Sequence, residues 1–192
     1  ELLQSIEYFH DILFDEHAKA EVSFSHEKLS FEGVPITGTI DHLTIDEQNK
    51  TIRIYDFKTS TGMQEKDTWK NNKKLFIYTI QLLFYYYLVT TSPTYKGYTI
   101  ESMSLLFVLP SYKNVKPGEP GEFFEKTITK SEITEFDLDI PKLIHAIRHQ
   151  LDTLDFLNTE SFACKPVGYT NKKSEIIDFT NQLIADYDKI KE

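Results

Sequence analysis

Leu2, Ile6, Phe9 and Leu13 recur at spacings of three and four within residues 2–19, LLQSIEYFHDILFDEHAK. That spacing lines one helical face with apolar side chains and predicts an amphipathic helix at the start of the chain. From residue 20 the period changes to two. AEVSFSHEKLSF (20–31), PITGTIDHLTI (35–45) and TIRIYDFKT (51–59) are separated by the turn signals EGVP and DEQNK, which predicts a three-stranded antiparallel meander. Residues 64–91, QEKDTWKNNKKLFIYTIQLLFYYYLVTT, run without Gly or Pro. Their length and lysine-rich first half predict one long helix, more buried toward its end. ESMSLLFVLPS (101–111) reads as a buried strand, with GEFFEKTITK (121–130) as its partner across a Pro- and Gly-rich loop. Residues 140–157 and 173–192 read as two amphipathic helices.

The order is helix, three strands, helix, two strands, helices, which predicts an α/β sandwich built on one mixed sheet. A chain of 192 residues with 40% hydrophobic and 14% aromatic content can bury a substantial core and reads as one domain. It opens at Glu1 without a Met and so reads as a fragment of a longer chain.

Composition removes several classes of function. No stretch approaches the roughly 18 consecutive apolar residues of a membrane span. The acidic, amphipathic opening does not resemble a signal peptide, so a soluble cytoplasmic protein is expected. Cys164 is the single cysteine, which excludes an intrachain disulfide and any zinc or iron–sulfur site that needs several thiolates. The net charge is −9, against a simple polyanion-binding surface. The charge is uneven, however: residues 61–120 carry seven lysines against four acids.

The chemistry concentrates in IRIYDFKTS (52–60), where Asp56 and Lys58 share one face of a strand near its end. If Ile45 pairs with Ile52 and Leu43 with Ile54, the same register sets Asp41 opposite Asp56. Carboxylates opposed in this way stand about 4.5–5.5 Å apart at Cβ and repel. Lys58 supplies part of the needed positive charge. A hard divalent cation can supply the rest, since Mg²⁺ takes one or two carboxylates plus waters and phosphate oxygens. Asp41, Asp56 and a backbone carbonyl at Phe57 would hold such an ion, which could activate a phosphodiester and a water. Lys58 would orient or deprotonate that water, or neutralise charge in the transition state. The alternative for Asp56 and Lys58 taken alone is a solvated ion pair.

GTID (38–41) ending a strand, DFKTS (56–60) ending the next and QLLFY (81–85) on the following helix resemble, in order, the three motifs of the PD-(D/E)XK nuclease superfamily, in particular its RecB-like exonuclease branch. The resemblance implies a restriction-endonuclease-like α/β core, about residues 20–128, with a mixed central sheet flanked by helices. It implies Asp41 and Asp56 as ligands of Mg²⁺ or Mn²⁺ and Lys58 as the catalytic lysine. Gln81 and Tyr85, one helical turn apart, would match the Q-x-x-x-Y motif that borders the active site. Glu21 falls where many relatives carry an acid on the first strand. The branch often has a histidine ligand on an upstream helix, for which His17 and His10 are available. The iron–sulfur variant of the branch is excluded by the single cysteine.

The activity so implied is a metal-dependent deoxyribonuclease, an exonuclease acting on DNA in repair, recombination or phage DNA processing. Its implied partner besides DNA is a helicase or other domain before residue 1. The alternatives are a non-catalytic nucleic-acid or protein interaction domain on a degenerate nuclease fold, and a restriction-type endonuclease. Lys66, Lys70, Lys73 and Lys74 lie at roughly helical spacing and either track a phosphate backbone or form a solvated face. Trp69 among them either stacks on a base or anchors the helix. His42 alternates to the face opposite Asp41 and reads as a satisfied or surface histidine.

Overall fold

The computed structural model describes residues 2–61, 67–68, 71–128, 132, 139–154 and 173–191. Its centre is a five-stranded sheet of order β1-β4-β5-β6-β7, formed by Ala18–Ser23, Thr39–Asp46, Thr51–Lys58, Thr99–Ser111 and Glu122–Ile128. β1, β4 and β5 are mutually antiparallel, β6 runs parallel to β5, and β7 is antiparallel to β6. The parallel step needs a crossover connection, and helix α3, Lys73–Thr91, supplies it. The sheet is therefore mixed and flanked by helices, as the element order predicts.

The assumed register is the one observed: Ile45 faces Ile52 and Leu43 faces Ile54. Leu43, Ile45, Ile52, Ile54, Met103, Leu105 and Phe107 turn one sheet face toward Leu75, Phe76, Leu82, Leu83 and Leu88 of α3 and form the main core. On the other face Tyr55 and Leu106 cluster with Phe9, Ile12 and Leu13. Both faces are covered along His42–Ile45 of β4 and Ile54–Asp56 of β5, so a polar side chain there is held in a dry setting and must find a partner.

Several boundaries differ from the sequence reading. The opening helix is two short pieces, α1 (Leu2–Tyr8) and α2 (His10–Leu13), broken at Phe9. Phe9 is 2% exposed and packs edge-on to Tyr8 and Phe123, so tertiary burial fixes the break. Asp15 then accepts the His17 N–H and, through its carbonyl, the Ala18 N–H, which starts β1 at the place the helix was expected to continue.

The strand expected over 20–31 also divides. β1 stops at Ser23, and a separate ribbon of β2 (Ser30–Phe31) and β3 (Val34–Pro35) follows. The ribbon turns at Glu32 and Gly33, both at positive φ (45 and 85), the signature of a tight hairpin turn. α3 begins at Lys73 because the Asn72 side chain accepts the Leu75 N–H, an N-cap that sets the helix start. Asp67 and Thr68 lie outside the helix, and residues 64–66, 69 and 70 of the expected helix lie outside the described residues.

Helix α4, Ile140–Thr153, ends where Leu154 turns left-handed (φ 57), and α5 spans Lys173–Lys191. Residues 155–157 and Cys164 lie outside the described residues. Among the described residues no helix is long and apolar enough to cross a membrane.

One glycine lets β4 pass close beneath α3. A Cβ on Gly38 would stand 2.8 Å from Leu88 Cδ1 and 3.6 Å from the Phe84 ring, and Leu88 is fully buried. Gly38→Ala is expected to lower unfolding stability by about 1–3 kcal/mol, the usual cost of overpacking, readable as a shifted urea midpoint at constant slope.

Candidate active site

Period-two alternation puts Ile52, Ile54, Asp56 and Lys58 on the face of β5 that α3 covers. The first two fill the core and the last two meet polar groups of the helix. Asp56 is 1% exposed. Its Oδ1 accepts hydrogen bonds from Gln81 Nε2 at 3.0 Å and from the Tyr85 hydroxyl at 3.3 Å. Gln81 Nε2 also donates to the Tyr85 oxygen at 2.7 Å. Lys58 donates from Nζ to Gln81 Oε1 at 2.7 Å and forms an ion pair with Asp56 Oδ2. The amide orientation of Gln81 follows from chemistry: an ammonium only donates, so the amide oxygen must face Lys58 and the NH₂ must face the carboxylate.

Asp41 enters from β4. The ladder between β4 and β5 runs from Asp46↔Thr51 to His42↔Tyr55, and one step further Asp41 stands level with Asp56. There the Asp41 side chain replaces the ladder: its Oδ2 accepts the Phe57 N–H at 2.9 Å. In an extended strand the N–H and C=O of one residue point to the same side, so the Phe57 carbonyl faces the same edge. GTID thus opens β4 and does not close a strand, since in an antiparallel pair the start of one strand lies beside the end of the other.

Burial raises the Asp56 pKa above the ordinary carboxylate value; Lys58 opposes that rise and the charge of Asp41 adds to it. Burial and the neighbouring Asp56 charge push Tyr85 up to about 12, so its hydroxyl remains a donor at neutral pH. A carboxyl whose folded pKa lies above its unfolded value binds more protons when folded, so its contribution to stability falls as pH rises through that window. In EDTA, the stability of the chain relative to Asp56→Asn is expected to decline as pH rises above the usual carboxylate range. Urea unfolding at a series of pH values checks the sign.

The donor set fits a hard divalent cation. Among the described residues Asp56 Oδ2 is buried without an aligned hydrogen-bond donor and is met by the Lys58 ammonium. Asp41 spends one oxygen on Phe57. Among the described residues no group of three or more His, Cys, Asp or Glu side chains converges. The residues that could hold such an ion are the two carboxylates and the Phe57 carbonyl, with waters and substrate oxygens to complete the shell, the kind of set a hard cation accepts.

The other expected residues lie apart. Glu21 is level with Asp41 in the β1–β4 register, but its backbone is left-handed (φ 50) and its side chain exposed and outside any converging group. His17 is exposed beside Glu16, with its carbonyl bonded to Ile45 N–H. That places it four strand positions from Asp41, about 13 Å along the strand. His10 is exposed and pairs with Asp11. His42 is buried on the opposite face, its Nε2 2.9 Å from the Ile12 carbonyl; it ties α2 to the sheet. Lys74 is exposed in the first turn of α3, and Lys73 opens that helix. Lys66, Lys70 and Trp69 lie outside the described residues.

One neighbour was not anticipated. The Tyr78 ring lies under the Lys58 ammonium, 4.3 Å from Nζ to the centroid. The signal was in the spacing, since Tyr78 precedes Gln81 by three and Tyr85 by seven, one continuous helical stripe.

A family model for the PD-(D/E)XK nuclease superfamily matches residues 2–166. No curated protein gives a significant sequence match. Among solved structures, the crystal structure of SSO0001 is similar at 17% identity and a TM-score of 0.43, over 79% of this chain and 57% of that one. The chain thus spans less than two thirds of that protein's length. With the family match extending over most of its residues, this chain belongs to the PD-(D/E)XK nuclease superfamily.

Proposed function

We propose that this chain is an Mg²⁺- or Mn²⁺-dependent deoxyribonuclease of the RecB-like kind, an exonuclease that hydrolyses phosphodiester bonds from DNA ends in repair, recombination or phage DNA processing. The observation that carries this reading is the single hydrogen-bonded unit made by Asp56, Lys58, Gln81 and Tyr85 beside Asp41. Unpaired charge in a dry setting is costly, and a cluster with two carboxylates held level is hard to explain as packing. Its completeness favours catalysis over a degenerate binding domain.

Asp41, Asp56 and the Phe57 carbonyl would hold the ion, which when bound supplies Lewis-acid polarisation of the phosphodiester and a more acidic water. The chain's own residues do the rest. Gln81 and Tyr85 each donate to Oδ1 of Asp56, which fixes the carboxylate plane and leaves Oδ2 to the Lys58 ammonium. Lys58, with a side chain 12% exposed, brings a positive charge to the place where negative charge grows on the attacked phosphate. Preorganised charge of that kind is worth more in a partly buried site than in water.

Exonuclease action has its own test. With Mg²⁺ or Mn²⁺, a linear duplex or single strand should shorten from its ends and a closed circle should survive. Cutting of the circle would move the assignment to the endonuclease reading. A helicase or other domain joined before residue 1 is the partner that an end-processing enzyme of this kind would use.

A further inference from the structure

We infer that the Lys58 ammonium occupies the metal's place on Asp56 in the metal-free chain, and that Tyr78 and Gln81 form the seat that receives it when a divalent cation enters. The inference rests on the nuclease reading for the identity of the ion but not for its test. The two oxygens of Asp56 are unlike. Oδ1 is saturated by Gln81 and Tyr85, whereas among the described residues Oδ2 has no aligned donor and is met by Lys58 alone. A cation that binds Asp56 must use Oδ2, the oxygen that Lys58 covers, so the two positive charges compete for one lone pair.

The displaced ammonium would not be left unpartnered. Gln81 Oε1 lies 2.7 Å from Nζ and the Tyr78 ring face 4.3 Å from it, and both contacts are independent of Asp56. An ammonium over an aromatic face is attracted by the ring quadrupole, the more so when desolvated. Tyr78 is therefore a positioning residue: it acts on the metal through Lys58, by holding the ammonium close to the phosphate without returning it to the carboxylate.

Mn²⁺ binding by isothermal titration in the absence of DNA tests this without any cleavage readout. Lys58→Met removes the competitor and keeps the stem. It should bind Mn²⁺ about tenfold more tightly than the unaltered chain, as expected when a partly buried ion pair no longer has to be broken. Tyr78→Leu removes the alternative seat and should weaken Mn²⁺ binding about two- to tenfold, and Tyr78→Phe, which keeps the ring, should restore it. Equal or weaker binding by Lys58→Met would overturn the competition while leaving the nuclease reading intact. Equal binding by Tyr78→Leu and Tyr78→Phe would overturn the role of the ring. Absence of Mn²⁺ binding in all four chains would overturn the inference together with the metal site. Failure of DNA cleavage in a chain that shows the expected Mn²⁺ pattern would instead count against the nuclease reading alone.

Discussion

Asp56→Asn is expected to remove metal-dependent DNA cleavage, by about 10³-fold or more, and to leave the fold intact. The carboxylate is the most buried charged group of the cluster, and the oxygen it gives to Lys58 is the one a cation needs. Asn keeps the shape and can still accept from Gln81 and Tyr85, so the hydrogen bonds that lock β5 to α3 survive. The substitution withdraws a charge that burial already disfavours, and Lys58 retains Gln81 and the Tyr78 ring as partners. Against this, the Asn amide nitrogen would stand where Oδ2 meets the Lys58 ammonium, so some resistance to urea should be lost while the chain stays folded. The check is single-turnover cleavage beside an unfolding curve, so that lost activity cannot be confused with lost structure. Wild-type-like cutting by this variant would remove Asp56 from the metal site.

Lys58→Met is expected to cost about 10²–10³-fold in cleavage, the scale on which one preorganised charged donor contributes to a transition state. The same variant should bind Mn²⁺ more tightly, for the reason argued above. Loss of rate with gain of metal is a combination that a merely structural lysine would not produce, because disruption of the cluster would weaken both. Rates measured at saturating metal separate the two effects.

The strand register and the level placement of Asp41 and Asp56 were legible because alternation in TIDHLTID and TIRIYDFK puts Leu43, Ile45, Ile52 and Ile54 on one buried face and the short turn between the strands selects the register. A one-residue slip would turn that whole set to the other face. The mixed sheet followed from a long helix standing between two strands. What could not be read was set by contacts distant in sequence. The break at Phe9 depends on Phe123, and the early end of β1 depends on a ribbon only two residues wide. Glu21 illustrates the limit of register reasoning: it is level with Asp41, yet a left-handed backbone at that residue takes its side chain out of the alternation. His17 was a choice among available histidines, and neither its exposure nor its distance along the strand had a signal in the sequence. Tyr78 was hidden by the wealth of tyrosines on α3; only its spacing from Gln81 sets it apart.

The most direct measurement is incubation of an end-labelled single-stranded oligonucleotide and its duplex with the chain in Mg²⁺, Mn²⁺ or EDTA, beside Asp56→Asn and Lys58→Met. The expected result is a ladder of shortened products that needs the metal and is absent with either variant. A well-folded chain that binds Mn²⁺ and leaves both substrates intact, or variants that cut as well as the unaltered protein, would contradict catalysis by this cluster.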